Sequence, residues 1–325
     1  MKALQIMGPG QFEVKEAPMP RPEPHEVLVK ILAVTTCPHW DIHIFGGDPM
    51  FPGTKIEYPY TLGQPGHEAC GEVVEAGSEV RDINVGQRVC AWRDPGHHRQ
   101  GCYAQYVAMD AASVLPVGVD LAPEACAALE LAMCMSAHVL FAEKLGEIKG
   151  KRVGVFGLGS AGLVCVQLLK AAGAAYIVGF DPLPERRAMA ARLGADLTLA
   201  SVGQEGKDFP RRGQSGSLHY AFDCVGTRAV VHEAMEVTGR LVVLFAVQRE
   251  AYVFDPQFWG GLTLAGTQPH TRAAAEHALA HLLDGTLDLG VLVSHRMRLE
   301  EYGVAVDLLQ RHEALKVVFL PQESA

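Results

Sequence analysis

The stretch Gly154-Val-Phe-Gly-Leu-Gly-Ser-Ala-Gly-Leu-Val-Cys-Val-Gln-Leu-Leu-Lys170 decides the fold. Val153 to Phe156 is a short apolar run. Gly157, Gly159 and Gly162 then give G-x-G-x-x-G, and Leu163, Val166, Leu169 and Lys170 carry a helical period. The first glycine permits a tight turn, the second lets the backbone approach a pyrophosphate, and the third lets helix and strand pack closely. The phosphates of a dinucleotide would meet the free N–H groups of Gly157, Leu158, Gly159, Ser160, Ala161 and Gly162 at the helix start. A second apolar run, Tyr176-Ile-Val-Gly-Phe180, ends in Asp181, 19 residues after Gly162. An acid there accepts hydrogen bonds from a ribose diol and repels a 2′-phosphate, which predicts NAD over NADP. Arg186 would lie near the ribose edge.

Outward from this motif, strand and helix signals alternate from Lys151 to about Val247, an α/β pattern. Residues 1 to 32 instead carry short strands separated by prolines, the pattern of a β-rich domain. No helical period is evident before about residue 120. With 325 residues the chain suits two domains, each with its own core. The formal charge of −9 comes without a basic block, so neither nucleic acid nor a membrane surface is an expected partner. The start of the chain has no secretory pattern. Eight cysteines (Cys37, Cys70, Cys90, Cys102, Cys126, Cys134, Cys165 and Cys224) are scattered through apolar runs, as in a reduced, cytoplasmic protein. The longest apolar stretch, Ala125 to Ala142, contains Glu130 and His138 and reads as a buried helix.

Two constellations in the β-rich part hold candidate metal ligands: Thr35-Thr-Cys-Pro-His-Trp-Asp-Ile-His43 and Gly63-Gln-Pro-Gly-His-Glu-Ala-Cys-Gly71. Cys37, His67 and Glu68 supply a thiolate, an imidazole and a carboxylate, three ligand types of a catalytic zinc. His39, Asp41 and His43 are supporting candidates around them. On their own, Cys37 also reads as a small buried residue and His67-Glu68 as a surface pair at a turn.

The segment Gly66-His-Glu-x-x-Gly71-x5-Gly77-x-x-Val80 resembles the zinc signature of the medium-chain dehydrogenase/reductase superfamily. The likeness continues through Val85-Gly-Gln-Arg-Val89, Gly101-Cys-Tyr-Ala-Gln-Tyr-Val107, the nucleotide motif, Phe222-Asp-Cys-Val-Gly226 and Leu315-Lys-Val-Val-Phe319. It implies a Rossmann domain with a doubly wound parallel sheet, expected over 122–257. It also implies a GroES-like catalytic domain, expected over 1–121 and 258–325, with the active site in the cleft between them. It implies an alcohol dehydrogenase with one catalytic zinc, an NAD cofactor and a small alcohol or carbonyl substrate. Cys37, His67 and either Glu68 or Glu130 would hold the zinc, with Cys134 as a rival to Glu130. Asp41 would orient His67, and His43, with His39, would carry the proton. Cys224, Val225, Gly226, Phe245 and Val247 would line the nicotinamide end. Leu262 to Thr267 resembles a family edge strand that pairs across a dimer, so a homodimer or homotetramer is expected.

The chain departs from the family pattern in two places. Trp40 occupies the position before Asp41 where the family has a proton-relaying hydroxyl, leaving His39, Thr36 or water to take over. Only Cys90 and Cys102 lie where the family places four cysteines, so no structural zinc is expected, and His97 and His98 read as exposed loop residues. Trp40, Trp92 and His97 would suit a bulky or partly aromatic alcohol. The alternatives are a zinc-free, NADPH-dependent enoyl or quinone reductase of the same superfamily, and a catalytically silent cofactor-binding relative.

Overall fold

The computed structural model describes residues 1–51, 53–94, 96–203 and 209–323. The chain divides into two compact units, Met1–Leu131 with Asp288–Ala325, and Ala132–Leu287. The loop expected over 200–217 includes residues 204–208, which lie outside the described residues.

The first unit opens with a hairpin of β1 (Lys2–Gly8) and β2 (Gln11–Glu16), followed by the long strand β3 (Glu26–Thr35). Helix α1 (Pro38–Gly46) comes next, a helix that the sequence pattern did not announce. It is short, starts on a proline, ends at Gly47 with φ 77, and buries only Asp41 and Ile44, so no apolar period marks it. Strands β4 (Glu68–Ala76), β5 (Arg88–Ala91), β6 (Tyr106–Asp110) and β7 (Val114–Pro116) follow, then the short helix α2 (Pro123–Cys126). Helix α3 (Leu129–Leu145) carries the chain into the second unit. The stretch Pro123–Leu145 is long and apolar enough to cross a membrane, yet 72% of its apolar window is buried inside the protein, as in a core helix.

The second unit is a parallel sheet of β8 (Arg152–Phe156), β9 (Tyr176–Phe180), β10 (Leu197–Leu199), β11 (Leu218–Asp223), β12 (Thr238–Leu244) and β13 (Thr263–Ala265). Helices α4 (Ser160–Ala171), α5 (Pro184–Leu193), α6 (Arg228–Val237) and α7 (Arg272–Leu283) accompany it. The strand order is β10-β9-β8-β11-β12-β13. The order therefore reverses at β8, and ligands of such sheets bind beyond the carboxyl ends of the strands at that point. The segment 258–287 belongs to this unit because β13 extends the parallel sheet alongside β12. Phe156 and Phe180 stack at 4.4 Å on adjacent strands within its core. At the start of α4, a Cβ on Gly162 would run into the carbonyl oxygen of Gly157, so only glycine lets the helix approach the turn.

The chain returns to the first unit with β14 (Val293–Met297), α8 (Tyr302–Gln310) and β15 (Lys316–Phe319). The larger sheet of this unit runs β14-β15-β3-β4-β5-β7, with β6 also on β3. Its core includes Ile6, Ile31, Val73, Tyr103, Tyr302 and Phe319. One buried ion pair spans this sheet. Lys316 Nζ lies 2.6 Å from each oxygen of Glu68 and 2.8 Å from the carbonyl of Thr36, and the Thr35 hydroxyl donates to Glu68 at 2.9 Å. Both charged side chains are only 1% exposed.

Two outcomes follow from these contacts. Removing one partner of a buried pair leaves the other charge uncompensated, so Lys316→Met should cost about 3–5 kcal/mol in denaturant unfolding, while Lys316→Met combined with Glu68→Leu should cost far less. Gly162→Ala should lower stability by about 1–3 kcal/mol through overpacking and weaken nucleotide binding measured by calorimetry.

Candidate active site

Cys37 stands at the entry to α1, and Asp41 one turn later fixes it. The Cys37 N–H donates to Asp41 Oδ2 at 2.8 Å, and the Asp41 N–H donates to the Cys37 carbonyl at 2.9 Å. Asp41 is fully buried and accepts from the hydroxyls of Tyr103 at 2.9 Å and Tyr302 at 2.8 Å. Burial raises its pKa to about 6, against the hydrogen bonds from both tyrosines and Cys37. Asp41 does not bond to His67, contrary to the role the sequence suggested. It anchors the Cys37 turn instead.

His67 is oriented by its own chain. Its Nδ1 lies 2.8 Å from the carbonyl of Pro65, which fixes Nδ1 as the donor and turns Nε2 towards the other ligand groups. A Cβ on the preceding residue, Gly66, would meet the ring and backbone nitrogen of Tyr103 at 2.7 Å, so only glycine brings His67 this close. The ligand atoms of Cys37, His67 and Glu68 all lie within 4.8 Å of one another. Glu130, in the first turn of α3, places Oε2 3.7 Å from His67 Nε2. Burial disfavours the His67 imidazolium. Its contact with Cys37 and the charges of Glu130, Cys37 and Asp94 outweigh burial and hold its pKa well above the usual range. A thiol, an imidazole and a carboxylate brought this close are donor types that zinc takes.

The two glutamates differ. Both oxygens of Glu68 are engaged by Lys316, and one also by Thr35. Glu130 is 5% exposed on an apolar helix and faces the imidazole. Of the relay candidates, Thr36 is buried, its hydroxyl oxygen accepting from the Val317 N–H at 2.9 Å. His39 and His43 pack edge to face at 5.0 Å, and His43 Nδ1 lies 3.1 Å from Asp48.

The loop before Cys102 brings in Asp94, which the sequence did not single out, and places His97 differently from expectation. His97 is not an exposed loop residue: its ring lies 4.1 Å from that of Trp40, its Nδ1 is 2.7 Å from the Tyr60 hydroxyl, and its Nε2 is 3.3 Å from Asp94. Burial opposes the Asp94 charge, but His97 and the nearby His67 hold its pKa down at about 2. Asp94, His97 and His67 bring their ligand atoms within 4.8 Å of one another. His98 is exposed. Trp92 is 5% exposed and donates to the Ala112 carbonyl at 3.0 Å, so it serves as a core residue.

In the second unit, Asp181 closes β9 beside the glycine turn. Its carboxylate accepts from the Leu158 N–H at 2.8 Å and the Leu183 N–H at 2.9 Å, with Arg186 at 3.9 Å. The carboxylate is thereby fixed as an acceptor at the strand end. Gly159, Ser160 and Ala161 open α4 and are partly exposed, whereas the Leu158 side chain is buried. After β11, Asp223 shapes the turn through Cys224, Val225 and Gly226, accepting from the Val225 N–H at 3.0 Å and the Gly226 N–H at 3.1 Å. Val225 is 41% exposed. After β12, Phe245 packs against His138 at 4.9 Å, and Val247 follows two residues on. His138 is a core histidine, bonded to the Cys134 carbonyl at 2.7 Å and the Gln268 N–H at 3.1 Å.

Comparison with known proteins agrees with this chemistry. Residues 23–119 match the alcohol dehydrogenase GroES-like domain, and residues 161–273 match the zinc-binding dehydrogenase model. The chain is 27% identical to an L-threonine 3-dehydrogenase of Bacillus licheniformis, covering 99% of both proteins. It is likewise 27% identical to a sorbitol dehydrogenase of Halalkalibacterium halodurans, again over 99% of both. Among solved structures, a zinc-binding dehydrogenase from Sinorhizobium meliloti bound to NADP superposes with TM-score 0.79 at 25% identity, over 98% of this chain and 99% of that one. Both halves match and the likeness runs end to end: the chain belongs to the zinc-binding alcohol and polyol dehydrogenases of the medium-chain dehydrogenase/reductase superfamily.

Proposed function

We propose that the protein is an NAD-linked dehydrogenase of an alcohol or polyol, with one zinc held by Cys37, His67 and Glu130. The convergence of Cys37 and Glu130 on His67 carries this reading. Glu68 stands behind these ligands and, tied to Lys316, holds the strand start that carries His67. When bound, zinc supplies Lewis acidity that lowers the pKa of an alcohol oxygen, and the nicotinamide supplies a hydride acceptor.

The remaining work falls to the chain. Pro65 holds the His67 tautomer, and Asp41 holds the turn that presents Cys37. Trp40 and His97 form an aromatic wall beside these residues and would exclude water from an apolar part of the substrate. With Trp40 unable to pass a proton, the alcohol proton would leave by way of His39 and His43 to the solvent-facing Asp48. The main-chain N–H groups of Gly159, Ser160, Ala161 and Gly162 would bind the pyrophosphate, and Asp181 would accept from the adenosine ribose. Cys224, Val225, Gly226, Phe245 and Val247 would contact the nicotinamide end. A homo-oligomer is proposed through β13, an edge strand that pairs only with β12 among the described residues.

The experiment is a steady-state panel of secondary alcohols and polyols with NAD and with NADP, before and after chelation and zinc repletion. NAD-linked oxidation that chelation abolishes and zinc restores is expected. Chelator-resistant reduction of activated alkenes or quinones with NADPH would replace this reading by the zinc-free reductase, and nucleotide binding without turnover by the silent relative. Asp181→Ala should raise the KM for NAD by about tenfold or more, the loss of charged hydrogen bonds, and shift the cofactor ratio towards NADP.

A further inference from the structure

Three cysteines of the first unit, none of them assigned to the alcohol chemistry, converge on one another. Cys70 on β4 and Cys90 on β5 are direct cross-strand partners. Cys126 ends α2, which packs on β3 and β4. All three are 0% exposed, and their sulfur atoms lie within 4.8 Å of one another, with Cys126 Sγ 3.4 Å from Cys70 Sγ. A lone buried cysteine serves as a small apolar residue, but three sulfurs this close together are within reach of one ion.

The surroundings favour a thiolate at one of the three, Cys126. Arg88 stands two residues before Cys90 on β5 and donates to the carbonyls of Val119 and Leu121 at 2.9 Å, which ties the approach to α2 onto the strand. Hydrogen bonding with Cys70 and Cys90, and then the Arg88 guanidinium, hold the Cys126 thiol well below its ordinary range. Its hydrogen bond to Cys126 pushes Cys70 up, and burial does the same to Cys90. No histidine, aspartate or glutamate joins the group among the described residues.

We propose that Cys70, Cys90 and Cys126 form a buried three-thiol site for a soft, three-coordinate metal ion of the copper(I) class. Sulfur-only donors select soft ions, and a set without a fourth donor suits copper(I) better than zinc, which closes a structural shell with four ligands. Binding releases thiol protons to solvent and transfers no electron, and Arg88 offsets the residual negative charge. The ion would clamp β4, β5 and α2. Cys70 lies three residues after His67, and Cys126 lies four residues before Glu130, so the clamp joins the two segments that bring those groups together.

The test is an oxygen-free titration of the zinc-supplied protein with copper(I) in the presence of a competing copper(I) chelator. Bound metals are counted after gel filtration, and the copper shell is read by X-ray absorption. The expected result is one retained copper per chain with zinc undiminished and a shell of three sulfurs. Copper should be retained in Cys37→Ser and lost in Cys90→Ser and Cys126→Ser. The absorption spectrum of the unaltered protein decides the matter even if a variant fails to fold. A shell containing nitrogen or oxygen, copper that disappears with Cys37→Ser, no retained copper, or a Cys70–Cys126 disulfide found by mass mapping would overturn the proposal. Because zinc is counted separately, failure here is distinguishable from failure of the catalytic-zinc reading.

Discussion

The first unit depends on one buried electrostatic contact, the Glu68–Lys316 pair. Two charges taken out of water are costly unless their hydrogen-bonding capacity is nearly filled, and here Thr35 and the Thr36 carbonyl fill it. The pair joins the start of β4 to the start of β15, segments 248 residues apart in sequence. A second polar knot works the same way. Asp41, behind Cys37, is held by Tyr103 and by Tyr302 of α8. The returning C-terminal segment thus supplies Lys316 to the stretch that carries His67 and Tyr302 to the stretch that carries Cys37. Apolar packing alone would place these strands. The polar knots fix the side chains of Glu68 and Asp41 beside His67 and Cys37.

The second unit solves a different problem. Its parallel sheet reverses order at β8, and the glycine turn, the start of α4 and Asp181 lie together at that end. Asp181 spends part of its capacity on the Leu158 and Leu183 N–H groups, which fixes its direction without a neighbouring side chain having to do so. Arg186 stands close enough to moderate its charge. This balance of one fixed carboxylate and one nearby guanidinium is the local determinant proposed for the choice between the two nicotinamide cofactors.

Much of this was legible in the sequence because the signals were local. The glycine spacing, the apolar runs around it and the Gly66-His67-Glu68 segment each carry their meaning in a few residues. Helix α1 was not legible, because nine residues burying only Asp41 and Ile44 leave no period to read. The partners of Asp41 were missed for another reason: Tyr103 and Tyr302 meet it from 62 and 261 residues away. Lys316 reads as one charge in an apolar strand until the fold brings it to Glu68. His97 reads as exposed in the sequence because it sits in a short polar loop, and its stacking partner Trp40 and anchor Tyr60 lie far from it along the chain. The three converging cysteines look scattered in sequence because strand pairing and a helix end assemble them.

In the proposed site Cys37, His67 and Glu130 hold a zinc ion while Glu68, paired with Lys316, supports the strand start. The most direct measurement is zinc per chain by elemental mass spectrometry on gently purified protein, compared with Glu130→Gln and Glu68→Gln. One zinc is expected in the parent, a marked loss in Glu130→Gln, and zinc retained at lower affinity in Glu68→Gln. A parent that binds nicotinamide cofactor fully but carries no zinc would contradict it, as would a zinc content indifferent to Glu130.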